Sequence, residues 1–458
     1  MPEYTRKSRL LAPVESVFAW HERVGAFERL APPWVDVRVV SRTGSIRDGD
    51  QLPFVAKQGP LRFRWQARHQ GYQENRQFGD VARRSPFRAW EHIHRFEPDD
   101  SGASFLEDIV HWQLPLGRAG ALGHRAVEHE LERLFTFRHE RTRQDLKRHL
   151  EMSGEPWRIL LSGASGLVGR QLIAFLTSGG HDVTTLVRRT PRNTREIRWD
   201  PMAGQLEPNA LEGFDAVIHL SGEDIAGGRW TEARKRKIVE SRTRSTTLLA
   251  GHLARCARKP RVLLSASAIG YYGHRGEETL TEESPAGDGF LADTCRAWEG
   301  ATAPASDAGI RVAHVRIGIV LAAAGGALRK MLPAWQLGLG GPIGSGEQVF
   351  SWIALDDLIG IFHFLLRAEG VHGPVNATAP KPETNEDFAT ILAEVLQRPC
   401  WARIPEQAIE LLVGEMGTHL LLRGARILPS RLAQAGFQFL WPELDGALRF
   451  ELGRMEES

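Results

Sequence analysis

The strongest constraint in this chain is a glycine spacing set between an aliphatic run and an amphipathic one. Arg158-Ile-Leu-Leu-Ser-Gly-Ala-Ser-Gly-Leu-Val-Gly169 leads from a short apolar stretch into Gly163-x-x-Gly166-x-x-Gly169. Val168, Leu172, Ile173, Phe175 and Leu176 follow at helical spacing until Gly179-Gly180 stops the pattern. A strand, a tight turn and a helix start in this order aim backbone N–H groups and the positive end of a helix dipole at a phosphate. Gly163 is expected to allow the turn, Gly166 the approach of a pyrophosphate, and Gly169 the close packing of helix on strand. The spacing therefore predicts a dinucleotide-binding α/β fold, and one that starts only near residue 157.

Short apolar segments then alternate with helical ones, as a doubly wound parallel sheet requires. His181–Val187, Asp215–Leu220, Val262–Ser267 and Ile310–Ile317 read as strands, and Trp230–Arg242 as a basic helix. The second strand ends Val187-Arg188-Arg189, where dinucleotide folds meet the adenosine ribose. An acid there suits a free 2′-hydroxyl. Here a guanidinium stands instead, the partner for a 2′-phosphate, which predicts NADP(H) over NAD(H).

The segment in front, residues 1–150, follows a different period. Val35–Val40, Leu61–Ala67, Ala89–Phe96 and Ser104–Trp112 alternate as half-buried antiparallel strands. Pro13–Trp20 has helical spacing, and a long helix is expected over about Ala119–Leu150. This order, with the phrase Arg9-Leu-Leu-Ala-Pro-Val-Glu-Ser-Val-Phe-Ala-Trp20, resembles the START-like helix-grip (SRPBCC, polyketide-cyclase-like) superfamily. The resemblance implies a cavity between sheet and helix for an apolar ligand, with Trp34, Trp65, Trp90 and Trp112 either lining or filling it. His92, His94 and His111 show no metal-ligand spacing and read as solvated or satisfied, so no metal is expected. Polar residues 151–156 read as a linker, giving domains at 1–150, 157–400 and a C-terminal helical segment 401–458 that packs on the substrate side.

The motifs of residues 157–452 resemble the extended short-chain dehydrogenase/reductases of the NAD-dependent epimerase/dehydratase type. Leu220-Ser-Gly-Glu-Asp-Ile-Ala226, Ser265-Ala-Ser-Ala-Ile-Gly-Tyr-Tyr-Gly273, Gly338–Gly344 and Ser351-Trp-Ile353 narrow this to the subgroup called epimerase family proteins. Some of its members carry a START-like fusion. The resemblance implies that Gly163, Ser165, Gly166, Leu167, Val168 and Gly169 cradle the pyrophosphate and that Arg188 takes the 2′-phosphate. It sets Leu220 and Ser221 on the adenosine side, lets Arg242 add positive charge, and puts Ser265 and Ala266 beside the nicotinamide.

Two departures from the family pattern matter. The usual catalytic Tyr-x-x-x-Lys pair falls at Leu291 and Cys295, or one residue earlier at Phe290 and Thr294; neither register supplies a phenol or an ammonium. Tyr272, Ser265 and Tyr271 are the remaining candidates for proton transfer, with His274, Glu283, Asp288 and Cys295 behind them. Phe350 also replaces the arginine that meets a nucleotide diphosphate, so Phe350 and Trp352 suit a flatter, less charged ligand or a plain core. The expected function is an NADP(H)-dependent oxidoreductase or isomerase with an apolar-ligand module; the alternatives are a non-catalytic NADP(H) sensor and, behind it, a nucleotide-sugar epimerase.

Composition narrows the partners. A formal charge of +2 over 458 residues is far from the basic balance of a nucleic-acid binder. No apolar run reaches the ~18–20 residues of a membrane span. Three scattered cysteines and the lack of a signal-peptide core predict a cytoplasmic protein.

Overall fold

Alternation over the first hundred residues folds into a seven-stranded antiparallel sheet in a computed structural model of the chain, which describes residues 1–59, 61–115 and 123–455. Contacts divide the chain into two units, Met1–Gly154 with Ala174–Gly180 and Arg449–Ser458, and Glu155–Ile173 with His181–Leu448.

In the first unit the strands are β1 (Glu3–Leu10), β2 (Asp36–Val39), β3 (Gln51–Gln58), β4 (Leu61–Gln73), β5 (Gln77–Arg84), β6 (Ala89–Pro98) and β7 (Ser104–Gln113), in the order β1-β7-β6-β5-β4-β3-β2. Helices α1 (Val14–Glu22) and α2 (Ala26–Leu30) follow β1, and the 28-residue α3 (His124–Glu151) closes the unit; residues 119–122 of the expected helix lie outside the described residues. Sequence alternation misses β1, β3 and β5; in β1 and β5 polar residues such as Arg6 and Asp80 share the inward positions with apolar ones. In β1, Tyr4 and Arg6 both reach Glu132 of α3, and the Tyr4 ring also stacks on Phe135 at 5.5 Å. The core joins Leu10, Val17, Phe18, Phe78, Phe96 and Leu106 to Leu146 of α3.

The tryptophans divide between the two expected roles. Trp112 is wholly buried, whereas Trp65 and Trp90, edge to face at 5.1 Å, wall a cavity of about 130 Å³. His92 and His94 are not solvated: they alternate with Ile93 on the inward face of β6 and are 4 % and 7 % exposed.

The second unit is built on an eight-stranded sheet. Its elements are β8 (Arg158–Ser162), the first half of α4 (Leu167–Ser178), β9 (Asp182–Val187), β10 (Glu196–Asp200), β11 (Gln205–Leu206), β12 (Ala216–His219), α5 (Glu232–Arg255), β13 (Val262–Ala268), β14 (Gly276–Leu280), α6 (Phe290–Gly300), α7 (Ala303–Asp307) and β15 (Arg311–Ile317). They continue through β16 (Ile319–Leu321), α8 (Gly326–Gln336), β17 (Val349–Phe350), β18 (Trp352–Ala354), α9 (Leu355–Arg367) and β19 (Gly373–Ala377). The sheet order is β11-β10-β9-β8-β12-β13-β15-β19, parallel except at β10–β11. Its strands are apolar on both faces, with Leu160, Val217, Leu263 and Val312 in one cluster with Leu249 and Leu253 of α5. Chain order reverses between β8 and β12, which opens a crevice at their carboxyl ends, the ligand position of open α/β sheets.

Residues 425–428 of the last segment are knitted into this unit by hydrogen bonds. Strand Ala425–Ile427 pairs with β14, Ser351 donates to the Ala425 carbonyl, and Asn376 donates to that of Leu428. Among the described residues no helix is long and apolar enough to cross a membrane.

Candidate dinucleotide site

The glycine turn owes its shape to two positions. Gly163 sits at φ +80°, a left-handed conformation that L side chains rarely adopt, with the Leu220 backbone 2.8 Å from where a Cβ would be. Gly169 lies in the first turn of α4, where a Cβ would run into the Gly163 carbonyl oxygen and come within 3.0 Å of its carbonyl carbon. Gly166 closes the turn by donating its N–H to the Gly163 carbonyl at 3.0 Å, and α4 starts at the next residue. A helix leaves its first N–H groups without a partner inside the helix, and α4 starts at this turn.

The turn opens on a cavity of about 750 Å³. Gly163, Ser165, Gly166, Arg188, Leu220 and Ser221, each singled out in the sequence, line it together. Leu167, Val168 and Gly169 form the helix start beside it. The wall also holds Glu223, within the 220–226 motif, Ser241, and Thr185, Glu196, Trp199 and Met202, the last four of which no motif marks. Glu196 and Trp199 arrive on β10, the outermost of the parallel strands, whose pairing with β9 no local pattern announces.

Charge in this cavity is unevenly matched. Arg189 grips Glu196 through two hydrogen bonds of 2.7 and 2.5 Å, and this contact pulls the Glu196 carboxyl down to about 2. Glu223 is paired with Arg234 at 2.7 Å, which lowers its pKa. Arg188 is exposed and, among the described residues, has no ion pair or side-chain hydrogen bond. Both wall carboxylates are thus neutralised by other cations, and one guanidinium is left facing the cavity.

Arg242 is placed differently from the expectation of added charge at the cofactor. It is largely buried, donates to the carbonyls of Glu223 and Ile238 at 3.1 Å, and stacks 5.0 Å from the Trp298 ring. It ties the loop after β12 to α5. Ser265 and Ala266 are core positions of β13, 1 % and 5 % exposed. Beneath the turn His219 of β12 is wholly buried, with Ser162 at 2.6 Å from Nδ1 and Thr246 at 3.0 Å from Nε2. Burial pushes its pKa down to about 4, so the ring is neutral at pH 7 and ties β8, β12 and α5 together.

The residues weighed for proton transfer are held in structural networks. Tyr272 is 0 % exposed; its hydroxyl donates to Asn376 at 2.7 Å and accepts from Arg316 at 2.9 Å. Arg316 is gripped by both oxygens of Glu299, which also accepts from Ser267. Burial raises the Tyr272 phenol to about 12. It is a buried tie between strands, contrary to its candidacy as an acid or base. The Arg316 guanidinium sits over the Tyr271 ring, 3.4 Å from ring centre to Cζ. Burial likewise lifts the Cys295 thiol, to about 11.

Trp352 corrects the substrate-side expectation. It is wholly buried, its indole N–H donating to the Lys381 carbonyl at 3.0 Å, because β18 runs through the core beside β16. Phe350 is half-buried and packs on Phe388 at 4.6 Å between ring centres.

Comparison with known proteins agrees with this architecture. The profile of the NAD dependent epimerase/dehydratase family matches residues 159–377, that of polyketide cyclase / dehydrase and lipid transport matches residues 10–177, and a domain of unknown function (DUF1731) matches 404–451. The epimerase family protein Mb2239 of Mycobacterium bovis is 40% identical over 296 residues, 65% of this chain and 98% of that protein. The crystal structure of the nucleoside-diphosphate sugar epimerase from Corynebacterium glutamicum is 34% identical, with a TM-score of 0.81 over 98% of this chain and 90% of that one. The human epimerase family protein SDR39U1, solved with NADPH, is 34% identical with a TM-score of 0.60 over 65% of this chain and 99% of its own. The chain belongs to the epimerase family proteins, the SDR39U1-like branch of the NAD-dependent epimerase/dehydratases, and carries a polyketide-cyclase-type domain in front.

Proposed function

We propose that this chain binds NADP(H) in the crevice above β8 and β12 and acts as an oxidoreductase or isomerase on a small substrate of low charge. The observation that carries the cofactor reading is Arg188, a guanidinium with no ion pair or side-chain hydrogen bond among the described residues, in the same cavity as the glycine turn. The turn fits a pyrophosphate because backbone N–H groups reach it where a side chain on Gly163 or Gly169 would not fit. Gly163, Ser165, Gly166 and the α4 start would hold the pyrophosphate, Arg188 the 2′-phosphate, and Leu220 and Ser221 the adenosine. When bound, the nicotinamide supplies a hydride donor or acceptor. NADPH in the human relative supports this reading.

The test compares Arg188→Ala with Arg189→Ala by titration. A charge-assisted hydrogen bond contributes about 1.5–3 kcal/mol, so Arg188→Ala should weaken NADPH roughly 10–150-fold and leave NADH nearly unchanged. Arg189→Ala, which removes a partner of Glu196, should do much less. Equal loss for both cofactors in Arg188→Ala would refute the assignment.

A second reading, a non-catalytic NADP(H) sensor, is favoured by one observation: Leu291 and Cys295 stand on α6 where the family's tyrosine and lysine would be. NADPH oxidation by any member of a broad carbonyl panel would exclude it. The nucleotide-sugar reading is weaker here, since Phe350 packs on Phe388 where a diphosphate-binding arginine is expected. The antiparallel sheet and α3 form a helix-grip domain, and the aromatic walls of its cavity support an apolar ligand there.

A further inference from the structure

Folding gathers three histidines of no sequence motif around one carboxylate in the first unit. His92 and His94 lie two residues apart on β6 and so share a face. The β6–β7 register sets His94 directly opposite Asp108, and His139 arrives on α3. His92 Nε2 is 2.7 Å and His94 Nδ1 2.5 Å from Asp108 Oδ1, while His139 Nε2 is 2.6 Å from Oδ2. All four are more than nine-tenths buried, and His92 Nδ1 faces Asp80 of β5 at 3.5 Å.

One of these contacts does not behave like the others. His92 and His139 make hydrogen bonds to Asp108, but the His94 Nδ1 contact lies off the direction in which a ring N–H would point, and among the described residues this buried nitrogen has no hydrogen-bond partner. The Arg138 guanidinium of α3, which lines the same cavity, already supplies positive charge toward Asp108 and Asp80, so what the His94 contact leaves open is a nitrogen donor site.

We propose that His92 Nε2, His94 Nδ1 and Asp108 bind a divalent transition-metal ion of the zinc class. The donor atoms already lie within 4.8 Å of one another. Two imidazoles and a carboxylate form the mixed nitrogen–oxygen set that suits such ions, whereas calcium and magnesium take oxygen donors. Tetrahedral donors at zinc distances are separated by roughly 3.3 Å, so the two rings must draw back from Asp108 by less than about 1 Å. Asp80 behind His92 and His139 on Asp108 Oδ2 supply the outer hydrogen bonds that orient metal ligands. His92 and His94 also line the aromatic-walled cavity, so the ion's remaining position opens toward whatever occupies it. An oxygen of that ligand, a carbonyl or carboxylate, would complete the coordination. The proposal is independent of the NADP(H) reading.

The test uses the full chain, stripped with a chelator and then dialysed against substoichiometric to excess zinc, with metal content measured after gel filtration. About one zinc per chain is expected, and cobalt substituted for it should give the visible absorption of a low-coordinate site. His94→Gln and Asp108→Asn should lose the bound ion, Asp80→Asn should weaken it roughly 10–100-fold, and His111→Gln should not change it. Circular dichroism identifies any variant that fails to fold; because Asp108→Asn carries that risk, His94→Gln decides. Folded wild-type chain without stoichiometric zinc, or His94→Gln binding as wild type does, would overturn the proposal.

Discussion

Gly166 and Gly169 are three residues apart in one turn, yet the structure separates what an alanine would do at each. At Gly169 the new methyl would strike the Gly163 carbonyl oxygen and sit 3.1 Å from Ala164 Cα, all backbone that cannot rotate away. Relief requires α4 to move off the β8 turn. Overpacking of this kind costs about 1–3 kcal/mol, against at most about 1 kcal/mol gained from alanine's better helix propensity. At Gly166 the tightest neighbour is the same oxygen at 3.3 Å, a few tenths of an ångström short of comfortable contact. Stability should change there by no more than about 0.5 kcal/mol. Gly166 does line the cavity, however, and under the proposed function its methyl holds the pyrophosphate away from the backbone N–H groups. Urea unfolding and NADPH titration of both variants separate the two effects. Gly169→Ala should lose stability and affinity together, whereas Gly166→Ala should unfold as wild type does but bind NADPH at least roughly tenfold more weakly. An unchanged midpoint for Gly169→Ala, or wild-type affinity in Gly166→Ala, would refute this division of roles.

Two further outcomes follow from groups near the site. His219 titrates at about 4 in the fold against about 6.5 when unfolded, so the unfolded chain binds the extra proton first as pH falls. Its contribution is fully present above about pH 6.5 and is lost between there and pH 4, by about 3 kcal/mol in all; His219→Gln should flatten that part of the stability–pH curve, and an unaltered slope would contradict the assignment. Tyr272→Phe should leave Asn376 and Arg316 with a buried unmet hydrogen bond, lowering stability by about 1–3 kcal/mol while NADPH affinity stays as in wild type. A stable variant would show that the hydroxyl is not the tie described.

What the sequence discloses depends on how local each feature is. The turn at 163–169 and Arg188 were legible because strand, glycines and the next strand end follow one another within about thirty residues, and each position carries its own steric or charge requirement. Glu196 and Trp199 were not, since their place at the cavity depends on β10 joining the edge of the parallel sheet, which no periodicity in residues 190–206 foretells. Tyr272 and Trp352 read as site residues because an aromatic beside a motif looks alike in core and cleft; only burial and the hydroxyl's partners tell them apart. The histidines of β6 were the hardest to read. Their spacing shows a shared face, but the facing Asp108 is set by antiparallel register and His139 by helix packing.

The central claim, a 2′-phosphate read by Arg188 above the glycine turn, is tested most directly on the unmodified chain. Titration with NADPH and with NADH under identical salt should give a preference for NADPH of at least roughly tenfold, the free energy of one charge-assisted contact. Equal affinities, or tighter NADH, would contradict it.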